Sequence, residues 1–133
     1  MLLATLAGCA GDPTEAALRA RLEAMRAAIE ARDAGALLAP VAEDFAGRDG
    51  MDRRGLGRLA RLHFLRHGDI GTTVGPVRVE VQGTRATARF EAAVTGGSGR
   101  LLPDTARLYA VTTGWRFEDG DWMLISADWE ARL

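Results

Sequence analysis

The sequence predicts one α+β domain in which three N-terminal helices pack against a strongly curved antiparallel sheet of four to six strands. Three observations predict it: apolar residues recur at helical spacing from Leu18 to Ile29, the period changes to two after Gly75-Pro76, and Asp119-Gly120 lies between two strand-like runs. A chain of 133 residues, 47% of them hydrophobic, suits a single domain that buries its own core.

The helices come first. Asp12-Pro13-Thr14-Glu15 reads as a cap, a proline at the first helical position and an acid three residues past the cap. Leu18, Leu22, Met25 and Ile29 then form one stripe, with Arg19, Arg21, Glu23, Arg26 and Glu30 on the remaining surface. Such a stripe needs a sheet to cover. Asp33 caps a second, shorter helix through Leu37 and Leu38, which Pro40 ends before Val41-Ala42-Glu43-Asp44-Phe45, and Gly47 to Gly50 makes a turn. Asp52 caps a third helix from about Arg53 to His67, stopped by Gly68. At a hundred degrees per residue, Leu56, Leu59, Ala60, His63 and Phe64 share its inward arc, and Arg54, Arg58 and Arg61 share the opposite one.

The strands follow. Val77, Val79 and Val81 alternate with Arg78, Glu80 and Gln82; Gly83 then turns the chain into Ala86, Ala88, Phe90, Ala92 and Val94, giving a hairpin with one apolar face. Gly96 to Gly99 is a flexible connection without the lysine and helix of a phosphate loop, and a long strand runs from about Thr105 to Glu118. Asp119-Gly120 suits a primed two-residue turn, so Glu118 opposes Asp121, Phe117 pairs with Trp122 and Trp115 with Leu124. That register puts Met123, Ile125, Ala127 and Trp129 on the other face. Both faces of this hairpin are then apolar, which predicts that the second one meets a helix, a ligand or a second subunit.

The N-terminus carries a different signal. Leu2-Leu3-Ala4-Thr5-Leu6-Ala7-Gly8-Cys9 is apolar with small residues just before the only cysteine, the chemistry of a signal peptide's end and cleavage site. Leu6-Ala7-Gly8-Cys9 resembles the lipobox of bacterial lipoproteins. The resemblance implies acylation of Cys9, a signal remnant and tether over residues 1–12, a domain over 13–133, and anchoring in the cell envelope. Ala10 after the cysteine leans toward the periplasmic side of the outer membrane. A net charge of −1, from 17 basic and 18 acidic groups, supplies no global field for nucleic acid, and no nucleic-acid partner is expected.

The order of helix, short helix, helix and long antiparallel strands, closed by the Trp115-x-Phe117-x-Asp119-Gly120-x-Trp122 hairpin, resembles the nuclear transport factor 2-like superfamily over about residues 13–131. The resemblance implies a cystatin-like cone with a pocket under the helices, and for many members dimerisation through the outer sheet face. The superfamily includes ketosteroid isomerases, polyketide cyclases of the SnoaL type and scytalone dehydratases, besides binding domains without catalysis. The isomerase pattern needs a tyrosine beside two aspartates in an apolar cavity. Tyr109, the single tyrosine here, does not match that motif residue by residue.

Six residues are candidates for the pocket. His63 lies on the inward arc of the third helix, as a pocket acid or base or as a core histidine with satisfied nitrogens. Asp44 is either a general base whose pKa is raised by burial or a turn residue. Asp128 is expected on the face of Ser126, Leu124 and Trp122, as a pocket carboxylate or as the partner of an arginine. Tyr109 shares that face if the register runs unbulged, as a donor to a ligand carbonyl or as a structural tyrosine. Trp115 and Trp122 supply apolar walls. His63 and His67, four apart, have the spacing of a metal pair but lack the glutamate of a zincin motif, so no metal and no cofactor is expected. Arg54, Arg58 and Arg61 make either a solvated helix face or a seat for an anionic head group or glycan. The expected function is non-catalytic binding of a small apolar ligand or a protein partner. The alternative is a small isomerase, dehydratase or cyclase working through Asp44, His63, Tyr109 or Asp128.

Overall fold

The computed structural model describes residues 11–97 and 105–132. Cys9 and the run preceding it lie outside these residues, as do Ser98 and Gly99. The described residues form three α-helices, α1 (Glu15–Ala31), α2 (Ala34–Leu38) and α3 (Arg53–Arg66), and six strands: β1 (Val41–Gly47), β2 (Asp69–Val74), β3 (Arg78–Gln82), β4 (Arg85–Gly97), β5 (Thr105–Glu118) and β6 (Asp121–Ala131). A 3-10 turn, Arg48–Gly50, separates β1 from α3.

Side-chain caps set the helix starts. Thr14, not Asp12, caps α1: its hydroxyl accepts from the Ala17 N–H at 3.1 Å, while the Asp12 carbonyl accepts from the Thr14 N–H. Asp33 and Asp52 cap α2 and α3 by accepting from the backbone N–H three residues on. Arg53, at the first position of α3, turns inward and donates to the carbonyls of Val41 and Leu38 at 3.0 and 2.9 Å, tying the helix to the end of α2 and the start of β1.

The sheet is mixed, not antiparallel throughout. Its order is β1-β6-β5-β4-β2, with β3 also paired to β4. β1 runs parallel to β6, because the chain reaches that edge from α2 and the Leu124 N–H binds the Pro40 carbonyl. The remaining pairs are antiparallel. In the β5–β6 hairpin Asp119 and Gly120 both have positive φ, 52° and 81°, and Glu118 faces Asp121, Phe117 faces Trp122 and Trp115 faces Leu124. The register then slips: Gly114 faces Ser126, so Ile125 is an extra residue in β6.

That bulge reverses the faces of the distal half of β6. Thr113 pairs with Ala127 and Val111 with Trp129, which puts Ala127 and Trp129 on the face of Trp115. Ser126 and Asp128 pass to the opposite face with Gly114 and Thr112. The outer face is consequently polar in its distal half, where an apolar surface was expected.

Two clusters make the core. In the larger one, Leu18 of α1, Leu38, Val41 and Phe45 pack on Ala86, Ala88, Trp115, Trp122 and Leu124 of the sheet. In the smaller, Ala28, Leu37, Ala60 and Phe64 join the helices to Ile70 of β2. Met25 touches both. The predicted stripe on α1 thus closes over the tryptophan-bearing ribbon. Polar contacts fix the angle of α1: Arg21 donates to the Trp122 carbonyl, and Glu30 accepts from both the backbone N–H and the hydroxyl of Thr72 in β2 at 2.8 and 2.7 Å.

Candidate functional site

The two aspartate candidates lie outside the helix-covered side of the sheet. Asp44, exposed on β1, accepts from both terminal nitrogens of Arg116 at 3.0 and 3.1 Å. The expectation of a buried base with a raised pKa is reversed: hydrogen bonds from Arg116 hold the Asp44 carboxyl below the usual carboxylate range. Asp128 is also exposed and, through the bulge at Ile125, shares a face with Ser126 and not with Leu124 and Trp122. Neither carboxylate reaches the covered side.

Tyr109 and His63 remain on that side. Tyr109 is half-buried on β5, in the alternating row with Val111, Thr113 and Trp115. His63 is half-buried on α3, its ring centroid 4.5 Å from that of His67. Burial pushes its imidazole below the ordinary histidine value, and the charges of His67 and Arg66 act in the same direction. Both influences favour the neutral imidazole. Gly96 of β4 seats His67: a Cβ there would stand 2.6 Å from Nδ1, so only glycine leaves room for the ring. Among the described residues no group of three His, Cys, Asp or Glu side chains is placed to hold a metal ion.

Trp115 and Trp122 belong to the core. Trp115 is 1% exposed and its indole N–H donates to the Thr113 hydroxyl at 2.8 Å, which in turn donates to the Ala88 carbonyl. Trp122 is fully buried and donates to the Thr14 carbonyl at 3.0 Å. Both indoles have their polar atom satisfied inside the protein, which is what burial of a tryptophan demands.

The open volume lies elsewhere. A cleft of about 640 Å³ opens where the 3-10 turn, the first turns of α3 and the end of β6 converge. Met51, Leu59 and Trp129 give it apolar walls, Gly50 and Gly55 also line it, and Arg48, Arg58, Asp49 and Asp52 supply two charges of each sign. Three of these charged groups are already engaged. Arg48 donates to the Trp129 carbonyl and lies 3.7 Å from the Asp49 carboxylate, and Asp52 caps α3. Arg58 is exposed and, among the described residues, makes no ion pair. The arrangement suits binding of an apolar body with one anionic or polar end. The unbulged register puts Trp129 on the wrong face, and the sequence names Arg58 as part of a possible seat for an anionic group.

No protein-family model and no curated protein matches this sequence. Solved structures do resemble it. A nuclear transport factor 2-like protein of unknown function from Pseudomonas putida matches at 19% identity and TM-score 0.77 over 90% of this chain and 87% of its own. The hexachlorocyclohexane dehydrochlorinase LinA-type3 from Novosphingobium barchaimii matches at 16% identity and TM-score 0.71 over 89% of this chain and 86% of its own. Bd1075 of Bdellovibrio bacteriovorus matches at 11% identity and TM-score 0.75 over 86% of this chain, which spans 40% of Bd1075. The fold is that of nuclear transport factor 2-like proteins, and it is shared by enzymes and by proteins of unknown function.

Proposed function

We propose that this chain is a non-catalytic binding domain of the bacterial envelope, which takes a small amphipathic ligand in the cleft walled by Met51, Leu59 and Trp129. The observation that carries the reading is the lining of the cleft, which has Met51, Leu59 and Trp129 as apolar walls and includes none of Asp44, His63, Tyr109 and Asp128. An isomerase, dehydratase or cyclase needs an acid and a base within hydrogen-bond reach of one substrate. The dehydrochlorinase neighbour favours that alternative by fold alone.

The aromatic anion 1-anilinonaphthalene-8-sulfonate is a suitable probe, having an apolar body and one negative group. It is expected to bind the folded chain, and Trp129→Ala is expected to weaken binding about ten-fold, as loss of an aromatic anchor does. Equal affinity in the variant would remove the cleft from the proposal. Protein partners at the same cleft are part of this reading, with Trp129 as the anchor.

The envelope location rests on Leu6-Ala7-Gly8-Cys9. Acylation of Cys9 would anchor the domain by more than one chain, enough for stable attachment. The wild-type protein is expected in the membrane fraction of a bacterial host and Cys9→Ala in the soluble fraction; a soluble wild-type protein rejects the anchor.

A further inference from the structure

The outward face of α3 is unusual for a helix of a soluble domain. Gly57, Ala60 and Phe64 are its buried residues, and Arg53 is turned inward to backbone carbonyls. Leu59, Leu62 and Leu65 are left exposed, by 43%, 46% and 85%. At a hundred degrees per residue Leu62 lies at the middle of the outward face with Leu59 and Leu65 about sixty degrees to either side, and Arg54, Arg58, Arg61 and Arg66, all exposed, are interleaved with them. The helix contains no carboxylate, and among the described residues none of these four arginines forms an ion pair. Charge is therefore segregated: a chain of net charge −1 presents one face carrying four positive groups and three leucines.

We infer that this face of α3 docks on an anionic phospholipid bilayer, lying in the plane of the surface. Leucines that penetrate the acyl boundary together with arginines that meet phosphate oxygens are the two components of interfacial helix binding. Charge complementarity selects the partner, because an acidic surface satisfies the four guanidinium groups while the leucine row needs an apolar layer beneath it. Nucleic acid and a polyglutamate-like chain offer no such layer over the length of the row. No described helix is long and apolar enough to cross a membrane, so α3 lies on the bilayer. The docking face shares Arg58 and Leu59 with the rim of the cleft and is independent of the anchor at Cys9.

Vesicle flotation of the full chain carrying Cys9→Ala, which cannot be acylated there, isolates the helix. This chain is expected to float with phosphatidylglycerol vesicles, to remain behind with phosphatidylcholine vesicles, and to be released by raised salt. Leu62→Gln with Leu65→Gln is expected to lower partitioning about ten-fold or more. Arg54→Gln with Arg61→Gln, neither of which lines the cleft, is expected to lower it roughly twenty-fold. These positions are solvent-exposed, and an unchanged circular dichroism spectrum verifies that each variant is folded. Absence of flotation with phosphatidylglycerol overturns the inference, as does equal flotation with both lipids or flotation that survives both double substitutions. A chain that ignores the vesicles but is retained by DNA or polyglutamate overturns it too, and reassigns the face to a different polyanion.

Discussion

Replacing Trp122 by alanine is expected to cost about 3–5 kcal/mol of folding stability, the usual range for deleting a buried large aromatic. Trp122 is fully buried in the larger cluster, meets Phe117 edge to face at a centroid distance of 5.2 Å, and donates to the Thr14 carbonyl. Thr14 is the cap of α1, so the substitution removes core volume and also loosens the helix that covers the sheet. Against a total of about 5–15 kcal/mol for a domain of this kind, the loss removes a large share of the stability. Trp122→Phe keeps most of the volume and loses one hydrogen bond, and should cost about 1–3 kcal/mol. Urea denaturation followed by circular dichroism measures both. A loss below about 1 kcal/mol for the alanine variant would contradict the central place given to this indole.

Inserting one alanine between Ser126 and Ala127 should be nearly as damaging. Ile125 is the bulge that lets Leu124 and Ala127 occupy the same face of β6. Deleting it leaves Leu124, Ser126 and Ala127 in plain alternation with their faces unchanged, so the deletion by itself is expected to be the milder change. The insertion instead sends every side chain from Ala127 onward to the opposite face. Asp128 would turn toward the helices, while Ala127 and Trp129 would turn out. Burying a carboxyl without a partner, and losing the apolar groups it displaces, is expected to cost about 3 kcal/mol or more. Equilibrium denaturation of the insertion variant beside the Ile125 deletion separates register from bulge. If the two lose the same stability, the facing of the distal strand is not what holds this end of the sheet.

Local chemistry made much of this architecture readable. The caps at Asp33 and Asp52, the stripe from Leu18 to Ile29, the Val79 and Ala88 hairpin and the Asp119-Gly120 turn each act over a few residues, and all appear in the structure. What escaped depends on distant partners. β1 pairs parallel to a strand some eighty residues later, and nothing in Val41 to Phe45 specifies that orientation. β2 offers a single buried side chain, Ile70, and too little alternation to stand out from a loop.

The candidate site was less legible than the fold, for the same reason. Asp128 was assigned its face by counting in twos from Trp122, and one extra residue invalidates that count for everything beyond it. Asp44 could be seen as a carboxylate near a helix break, but Arg116, seventy-two residues away, lowers its pKa where burial was expected to raise it. Trp129 entered the cleft through the bulge that expelled Asp128. Arg58 and Leu59 were placed on α3 by simple periodicity, yet the arc drawn through Leu59 was taken as wholly inward, and the structure leaves that leucine 43% exposed.

The three indoles occupy two kinds of surroundings, and this gives the protein two optical reporters. Trp115 and Trp122 are shielded from water, so their emission should stay blue and steady until the native state is lost. Trp129 is half-buried at the rim of an open volume, and its emission should respond to anything that enters there while the other two remain unchanged. Occupation of the cleft and collapse of the core can therefore be followed in one sample, by colour.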